Sequence, residues 1–93
     1  MIHELKTWPD VFIAILEGRK CHEYRVDDRD FQLHDTLVLR EWTPGVDDGG
    51  RYTGRVIKTI VTYIDKSPRW GIADGYAAMT IRVLGYDHHK VSV

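Results

Sequence analysis

A cluster of charged side chains at residues 18–25 is the strongest chemical signal in the chain. The segment reads Gly-Arg-Lys-Cys-His-Glu-Tyr-Arg, and it carries Lys20, Glu23 and Arg25 where an apolar, helix-like run changes to a strand-like one. Since side chains alternate faces along a strand, Glu23 and Arg25 share a face, and only a twist or bulge near Lys20 brings all three charges together. Two interpretations stay open: a ligand site, or a solvated surface ion pair that contributes about 0 to 1 kcal/mol.

The side chains around this segment are suited to a phosphate-containing ligand. Lys20, Arg25 and Arg29 can donate hydrogen bonds to phosphate oxygens, and arginine does so with two parallel donors. Glu23 can accept hydrogen bonds from a base or a ribose, and Trp8 can offer a stacking face. We therefore predict a ligand-binding cleft with the following lining: Trp8, Lys20, Glu23, Arg25 and Arg29.

Two purely structural roles are alternatives to a ligand-binding cleft. Trp8 stands beside Pro9 at a helix start, where a tryptophan is more often a core or lid residue than a stacking platform. The nearby carboxylates can pair with Arg25 and Arg29, which would make the cluster a structural salt-bridge network. These carboxylates are Asp27, Asp28 and Asp30.

Composition limits the class of partner. The chain has 93 residues, 43% of them hydrophobic, which describes one globular domain. Its formal net charge is -1, so it is not a generally basic nucleic-acid binder, and any nucleic-acid contact needs a local patch. The histidines share no metal-ligand spacing, and we predict neither a metal nor another cofactor.

The single cysteine and the short apolar runs indicate the cellular location of the protein. Cys21 alone can form neither an internal disulfide nor a cysteine-based zinc site. The first residues lack the pattern of a signal peptide, and the longest apolar run, 11–16, is far shorter than the roughly 20 residues that span a bilayer. We expect a cytoplasmic protein without a membrane partner.

One helix and five strands must position the charged cluster. Pro9 and Asp10 favour the first turn of a helix that Gly18 ends. Alternating or β-branched patterns predict strands at 2–6, 20–26, 36–42, 52–64 and 76–84. Gly54 is expected at a bend or bulge, and the turn formers at 43–50 predict a mobile hairpin loop.

These elements predict an α+β fold. The close spacing of the turns favours a small, barrel-like mixed sheet of about five strands, with the N-terminal helix closing one side. We expect residues 1–85 to form the domain and residues 86–93 to be a flexible C-terminal tail.

Short motifs in a fixed order resemble a known family. Besides residues 18–25, they include His-Glu-Leu-Lys-Thr-Trp-Pro at 3–9, Asp-Arg-Asp-Phe at 28–31, Leu-Arg-Glu-Trp at 39–42 and Val-Thr-Tyr-Ile at 61–64. In this order they are similar to short, uncharacterised bacterial and phage proteins of the ASCH (activating-signal-cointegrator homology) group in the PUA-like superfamily. The resemblance covers about residues 2–83. It implies a PUA-like β-barrel with a cleft beside the first helix, and a function in binding RNA or a modified nucleotide.

The resemblance also implies a rival function in catalysis. Some bacterial ASCH proteins are small amidohydrolases that deacetylate N4-acetylcytidine, and their Gly-x-Lys-Thr-x-Thr-x-Arg segment aligns with residues 18–25. Lys20 and Arg25 match that segment, but Glu23 stands where the family has its nucleophilic threonine. If the chain is a hydrolase of a modified nucleoside or of RNA, Lys20 and Glu23 are its predicted catalytic residues.

We favour a binding module over an enzyme. Replacing Lys20 and Arg25 by alanine is then expected to abolish ligand binding with little change in melting temperature. A third hypothesis is a phage or host protein-interaction module. Its candidate anchors are aromatic residues in or beside loops, Trp42, Tyr52 and Trp70.

Overall fold

The computed structural model describes residues 1–45 and 49–88. Its elements in chain order are β1 (Ile2–Thr7), α1 (Pro9–Leu16), β2 (His22–Val26), β3 (Thr36–Thr43), β4 (Arg51–Asp65), a short 3₁₀ helix (Pro68–Trp70) and β5 (Tyr76–His88). The described residues are mostly β, with the predicted number of strands around one short α-helix. Part of the predicted hairpin loop, residues 46–48, lies outside the described residues.

The strands form one sheet in the order β1-β3-β4-β5-β2. β1 runs parallel to β3, and the other neighbours are antiparallel, so β1 and β2 are the two edges. The sheet curls until side chains connect those edges. Arg25 of β2 donates a hydrogen bond to the Lys6 carbonyl of β1, and Arg29 donates one to the Glu4 carbonyl. The result is a half-open barrel with a seam between β1 and β2.

The helix supplies one wall of the core. Pro9 occupies its first turn, where a missing N–H is harmless, and Asp10 favours the same end of the helix dipole. Phe12 and Ile15 are fully buried, and the helix contacts β3 and β5. No α-helix of the described residues is long and apolar enough to cross a membrane. The remaining core residues are Leu5, Phe31, Leu37, Leu39, Ile57, Val61, Ala77, Met79 and Ile81.

Two strand boundaries differ from the sequence prediction by more than one residue. β2 begins at His22 instead of residue 20, because the Lys20 N–H still bonds to the Ala14 carbonyl and extends the end of the helix. β5 continues to His88 instead of ending at residue 84, because the long strand β4 remains beside it as far as Arg55. The predicted tail, 86–93, therefore begins within β5, and residues 89–93 lie outside the described residues.

The predicted irregularity at Gly54 is confirmed. Gly54 has a φ of 94°, a left-handed conformation that glycine adopts without a steric penalty. Beside it, the β3–β4 register shifts between Arg40 and Trp42. A bulge of this kind increases local twist, and it helps a sheet to curl.

A buried carboxylate, Asp35, ties β1 to the start of β3. It accepts hydrogen bonds from the Met1 ammonium at 2.9 Å and the Gln32 N–H at 3.0 Å, and its Oδ2 lies 2.8 Å from His3 Nε2. Burial by itself would raise the pKa of Asp35, but the hydrogen bonds outweigh burial and lower the pKa to about 2. The ionised carboxylate is therefore part of the folded state.

We predict that Asp35 makes the fold sensitive to acid. Since its pKa falls from 3.8 to about 2 on folding, the ionised group contributes about 2 kcal/mol of stability above roughly pH 4. This contribution disappears as the pH falls from about 4 to about 2. Urea unfolding across this range should show the advantage of the wild-type chain over Asp35→Asn shrinking. Asp74→Asn, at an exposed carboxylate, is the control, and a constant difference for Asp35→Asn would contradict the assignment.

Candidate functional site

A cavity of about 640 Å³ lies at the seam between β1 and β2. We call it the seam cavity. Side chains from both edge strands, from the start of α1 and from the loop after β2 form its wall. The structure brings all five predicted ligand-binding residues to this wall, namely Trp8, Lys20, Glu23, Arg25 and Arg29. The other lining residues are Leu5, Lys6, Thr7, Val11, His22, Tyr24, Val26, Asp28, Phe31 and Tyr76.

Glu23 is the centre of the charged cluster. Its side chain is 4% exposed, and Arg25 Nε donates to its Oε2 at 2.8 Å. Lys20 Nζ lies 3.5 Å from Oε1 and donates to the His22 carbonyl at 2.7 Å. Glu23 and Arg25 share a face of the strand, as strand alternation predicts. Because the Glu23 carboxylate is buried, the interpretation of the two residues as a solvated surface ion pair is wrong. Lys20 joins them because it precedes β2 and follows the turn at Gly18, which has a φ of 79°.

The two arginines occupy the free edge of β1. Carbonyl groups alternate in direction along a strand. The Met1 carbonyl accepts a hydrogen bond from the Thr36 N–H and therefore points toward β3. The carbonyls of Glu4 and Lys6 point the opposite way, toward the seam. Arg25 and Arg29 satisfy these carbonyls. A guanidinium has five N–H donors, of which Arg25 uses two and Arg29 one within the described residues. Donors therefore remain for a ligand.

The aspartates after β2 have a different partner from the one expected. Lys66 Nζ lies 2.7 Å from Asp27 and 3.2 Å from Asp30. Burial would raise the pKa of Asp27, but the Lys66 hydrogen bond contributes to lowering it, and Asp27 raises the pKa of Lys66 in turn. Asp27 and Asp30 thus pair with Lys66. Within the described residues, no ion pair joins them or Asp28 to Arg25 or Arg29, so the predicted network is wrong.

The wall of the seam cavity is electropositive. Its charged side chains are four cations and two carboxylates, Lys6, Lys20, Arg25 and Arg29 against Glu23 and Asp28. The whole chain, in contrast, has a formal net charge of -1. Positive charge is therefore in excess at this seam, and a concave wall with a net positive charge attracts anionic ligands.

Aromatic rings border the cavity. Trp8 is 56% exposed, so the alternative that it is a core residue is wrong. Its ring meets the Trp42 ring edge-on, with 6.1 Å between the two centroids. Tyr24 and Tyr76 stack with their centroids 5.2 Å apart, and the Tyr24 hydroxyl accepts a hydrogen bond from the Ala73 N–H. These rings give the wall flat apolar surfaces beside its charges.

Thr7 is a lining residue that sequence reasoning missed. It is 2% exposed, and its hydroxyl has no hydrogen-bond partner among the described residues. An unsatisfied buried hydroxyl costs about 1 to 3 kcal/mol, which a polar ligand atom would offset. Trp8 occupies the N-cap position of α1, so the Thr7 hydroxyl does not cap the helix either. No local signal marks a hydroxyl that the tertiary fold leaves without a partner.

Within residues 1–45 and 49–88, no group of three or more His, Cys, Asp or Glu side chains is placed to hold a metal ion. What the wall can do is bind an anion through lysine and arginine, accept hydrogen bonds at Glu23, and stack a flat ring.

Comparisons with known proteins identify a family but no activity. A family model described as "Domain of unknown function (DUF3850)" matches residues 2–81, and the chain belongs to this family. The chain is also 38% identical over 69 residues to the "Uncharacterized 12.9 kDa protein in GpA 3'region" of Escherichia phage P2. The match covers 74% of this chain and 59% of that relative, so it spans about three fifths of the relative's length.

We predict that Arg25→Ala destabilises the fold, in contrast to the expectation from the sequence. It leaves the buried Glu23 carboxylate without its closest partner and removes a bond across the seam. Breaking such a pair costs about 3 kcal/mol in urea unfolding. Glu23→Gln in the same chain should recover part of that loss, because the uncompensated charge is gone.

Arg29→Ala is the matched control for this experiment. Arg29 also crosses the seam, but it donates its hydrogen bond to a neutral acceptor, the Glu4 carbonyl. Its loss should therefore cost about 1 kcal/mol. Equal costs for the two arginines, or no recovery with Glu23→Gln, would contradict the role assigned to the buried pair.

Proposed function

For this member of a family of unknown function, we propose that the seam cavity binds RNA or a nucleotide. The observation that carries the proposal is the concentration of cations in one concave wall. Four cationic side chains face two carboxylates there, in a chain with a net charge of -1. A fold gains little from gathering like charges, whereas an anionic ligand would be attracted to them.

Phosphate groups fit the cationic part of the wall. Lys20 and Arg25 have side chains 24% and 28% exposed, so they are accessible but partly shielded from water. Arg29 is exposed beside them. The spare N–H donors of both guanidiniums can meet phosphate oxygens in the bidentate geometry that arginine favours.

A base or ribose fits the rest of the wall. Glu23 offers a buried acceptor that is held in place by Arg25, and the unpartnered Thr7 hydroxyl offers a second polar contact. The apolar surfaces of Leu5, Val11 and Phe31 lie among them. Ligand sites typically combine apolar walls with a few such fixed polar groups. Trp8 adds an exposed ring on which a base can stack.

We also propose that the fold is a PUA-like barrel of the ASCH group. The curled five-stranded sheet and the Lys20, Glu23 and Arg25 side chains at one end of the seam support it. A helix that contacts β3 and β5 beside an open cavity is compatible with a small barrel of this kind.

A hydrolase is the second candidate function. The contact that favours it is the 3.5 Å approach of Lys20 Nζ to Glu23 Oε1, which joins the two predicted catalytic residues. Arg25, however, holds the other carboxylate oxygen at 2.8 Å. A carboxylate fixed in this way is better placed to orient a ligand than to attack one. Binding therefore remains the first candidate.

A protein-interaction role has weaker support. Trp70 is 61% exposed, whereas Trp42 and Tyr52 are half-buried. Each of the three rings carries a cation. The three predicted anchors therefore do not form a group of equally accessible apolar side chains.

We predict salt-dependent binding at the seam. Titration with AMP, CMP, GMP, UMP and a short oligouridylate should shift the amide NMR signals of the cavity wall. For the oligouridylate, the three contacts of the cavity wall, from Lys20, Arg25 and Arg29, should contribute about -2 to the slope in a plot of log affinity against log salt. Lys20→Ala should make the slope about 0.7 less negative. Arg69→Ala, outside the cavity wall, should leave the slope unchanged, and a flat salt response would contradict phosphate binding.

We also predict that the chain does not release cytidine from N4-acetylcytidine. Glu23 replaces the nucleophilic threonine of the resembling amidohydrolases, and Arg25 already engages its carboxylate. The test is incubation of the purified chain with the nucleoside, beside a Glu23→Thr variant, with chromatography for cytidine. Rapid turnover by the unmodified chain, lost in Lys20→Ala, would place the protein among the hydrolases.

A further inference from the structure

A row of aromatic and cationic side chains leads from the seam cavity across the outer face of the sheet. We call it the stripe, and its members are Lys6, Arg40, Trp42 and Tyr52. Lys6 on β1 is the register partner of Arg40 on β3, and Trp42 on β3 is the partner of Tyr52 on β4. The stripe thus crosses three neighbouring strands, about 10 Å in all.

The members of the stripe alternate charge and ring. Lys6 Nζ lies 4.8 Å from the centroid of the Trp42 ring, and Arg40 Cζ lies 3.9 Å from that of Tyr52. In the described parts of the chain, both cations contact rings and neither forms an ion pair with a carboxylate. Like charges on paired residues of neighbouring strands repel each other. An anion held between Lys6 and Arg40 would remove that repulsion.

The stripe is continuous with the seam cavity. Lys6 and Trp8 both line the cavity, and both contact Trp42, one through its ammonium and the other edge-on at 6.1 Å. A ligand that leaves the cavity past the exposed Trp8 ring therefore meets Trp42 next.

A buried ion pair fixes the stripe from beneath. Glu41 lies between Arg40 and Trp42 in sequence and points inward, where it is 4% exposed. Arg55 donates to both of its oxygens at 2.8 Å, and the Thr53 hydroxyl donates at 2.7 Å. These bonds lie at the register shift between β3 and β4. They hold the backbone that carries Arg40 and Trp42, so the stripe is preorganised.

We propose that the stripe extends the binding site along a single strand of RNA. Phosphates would meet Lys6 and Arg40, and successive bases would stack on Trp8, Trp42 and the Arg40 guanidinium over Tyr52. Interleaved cations and rings are the pattern that single-stranded nucleic acid requires. The inference rests on the proposed function of the seam cavity, and it narrows the ligand from a free nucleotide to a chain of several nucleotides.

The test compares UMP with an oligouridylate of about eight nucleotides, by calorimetry or fluorescence anisotropy. The oligomer should bind roughly tenfold or more tightly than UMP. In its salt dependence, the two further phosphate contacts should add about -1.4 to the slope of about -2 that the cavity wall contributes. Arg40→Ala should make that slope about 0.7 less negative. Arg40→Ala and Tyr52→Ala should each weaken oligomer binding about fivefold or more, with UMP binding unchanged.

Arg69 and Trp70 provide the matched control, because Arg69 Cζ lies 4.5 Å from the Trp70 ring and neither residue lines the cavity. Trp70→Ala should leave oligomer affinity unchanged. Equal affinity for UMP and the oligomer, or no effect of Arg40→Ala, overturns the stripe but keeps the cavity. An equal loss in Trp70→Ala also overturns it. Binding of neither ligand by the folded chain overturns the proposed function as well. Arg40→Glu, at a half-buried surface position, gives the same readout if Tyr52→Ala fails to fold.

Discussion

The ion pair between Arg25 and the buried Glu23 is the interaction on which the rest of the seam depends. A buried carboxylate is tolerated only when a cation and hydrogen bonds compensate it, and Arg25 supplies both at 2.8 Å. The same guanidinium also satisfies the Lys6 carbonyl on the free edge of β1. Edge strands expose unpaired backbone groups, and here a side chain, not another strand, covers them. The seam therefore stays wide enough to be a cavity.

A second arginine, Arg55, performs the same task for another buried carboxylate, Glu41. The Arg55 hydrogen bonds lower the pKa of Glu41 against the opposing effect of burial, so the pair stays ionised. Arg55 also lies over the Phe12 ring, with its Cζ 4.9 Å from the centroid, and so links the bulge in β3 and β4 to the helix. Two buried carboxylates, each fixed by one arginine, thus position the seam cavity and the stripe. Both polar surfaces rest on the same apolar core.

The functional proposals follow from where the fold leaves polar groups incompletely satisfied. The spare donors of Arg25 and Arg29 and the adjacent cations Lys6 and Arg40 lie on one connected surface. The buried, unpartnered Thr7 hydroxyl lies in the wall of the same cavity. In a fold optimised only for stability, the unpartnered Thr7 hydroxyl and the neighbouring like charges are costs. A ligand with phosphates and flat rings would offset these costs together, which is why one binding function accounts for them better than separate structural explanations.

Much of this could be predicted from the sequence, because it depends on local pattern. Strand alternation placed Glu23 and Arg25 on one face, Pro9 and Gly18 bounded the helix, and the positively charged cleft followed from residue types within one short segment. The end of β5 could not be predicted, since residues 85–88 become a strand only through pairing with β4. Four features were decided by the tertiary structure alone. They are the burial of Glu23, the ion pair between Lys66 and Asp27, the lack of a partner for the Thr7 hydroxyl, and the path of side chains from Trp8 to Tyr52. Each of these depends on contacts between residues far apart in the chain, and local propensity has no information about them.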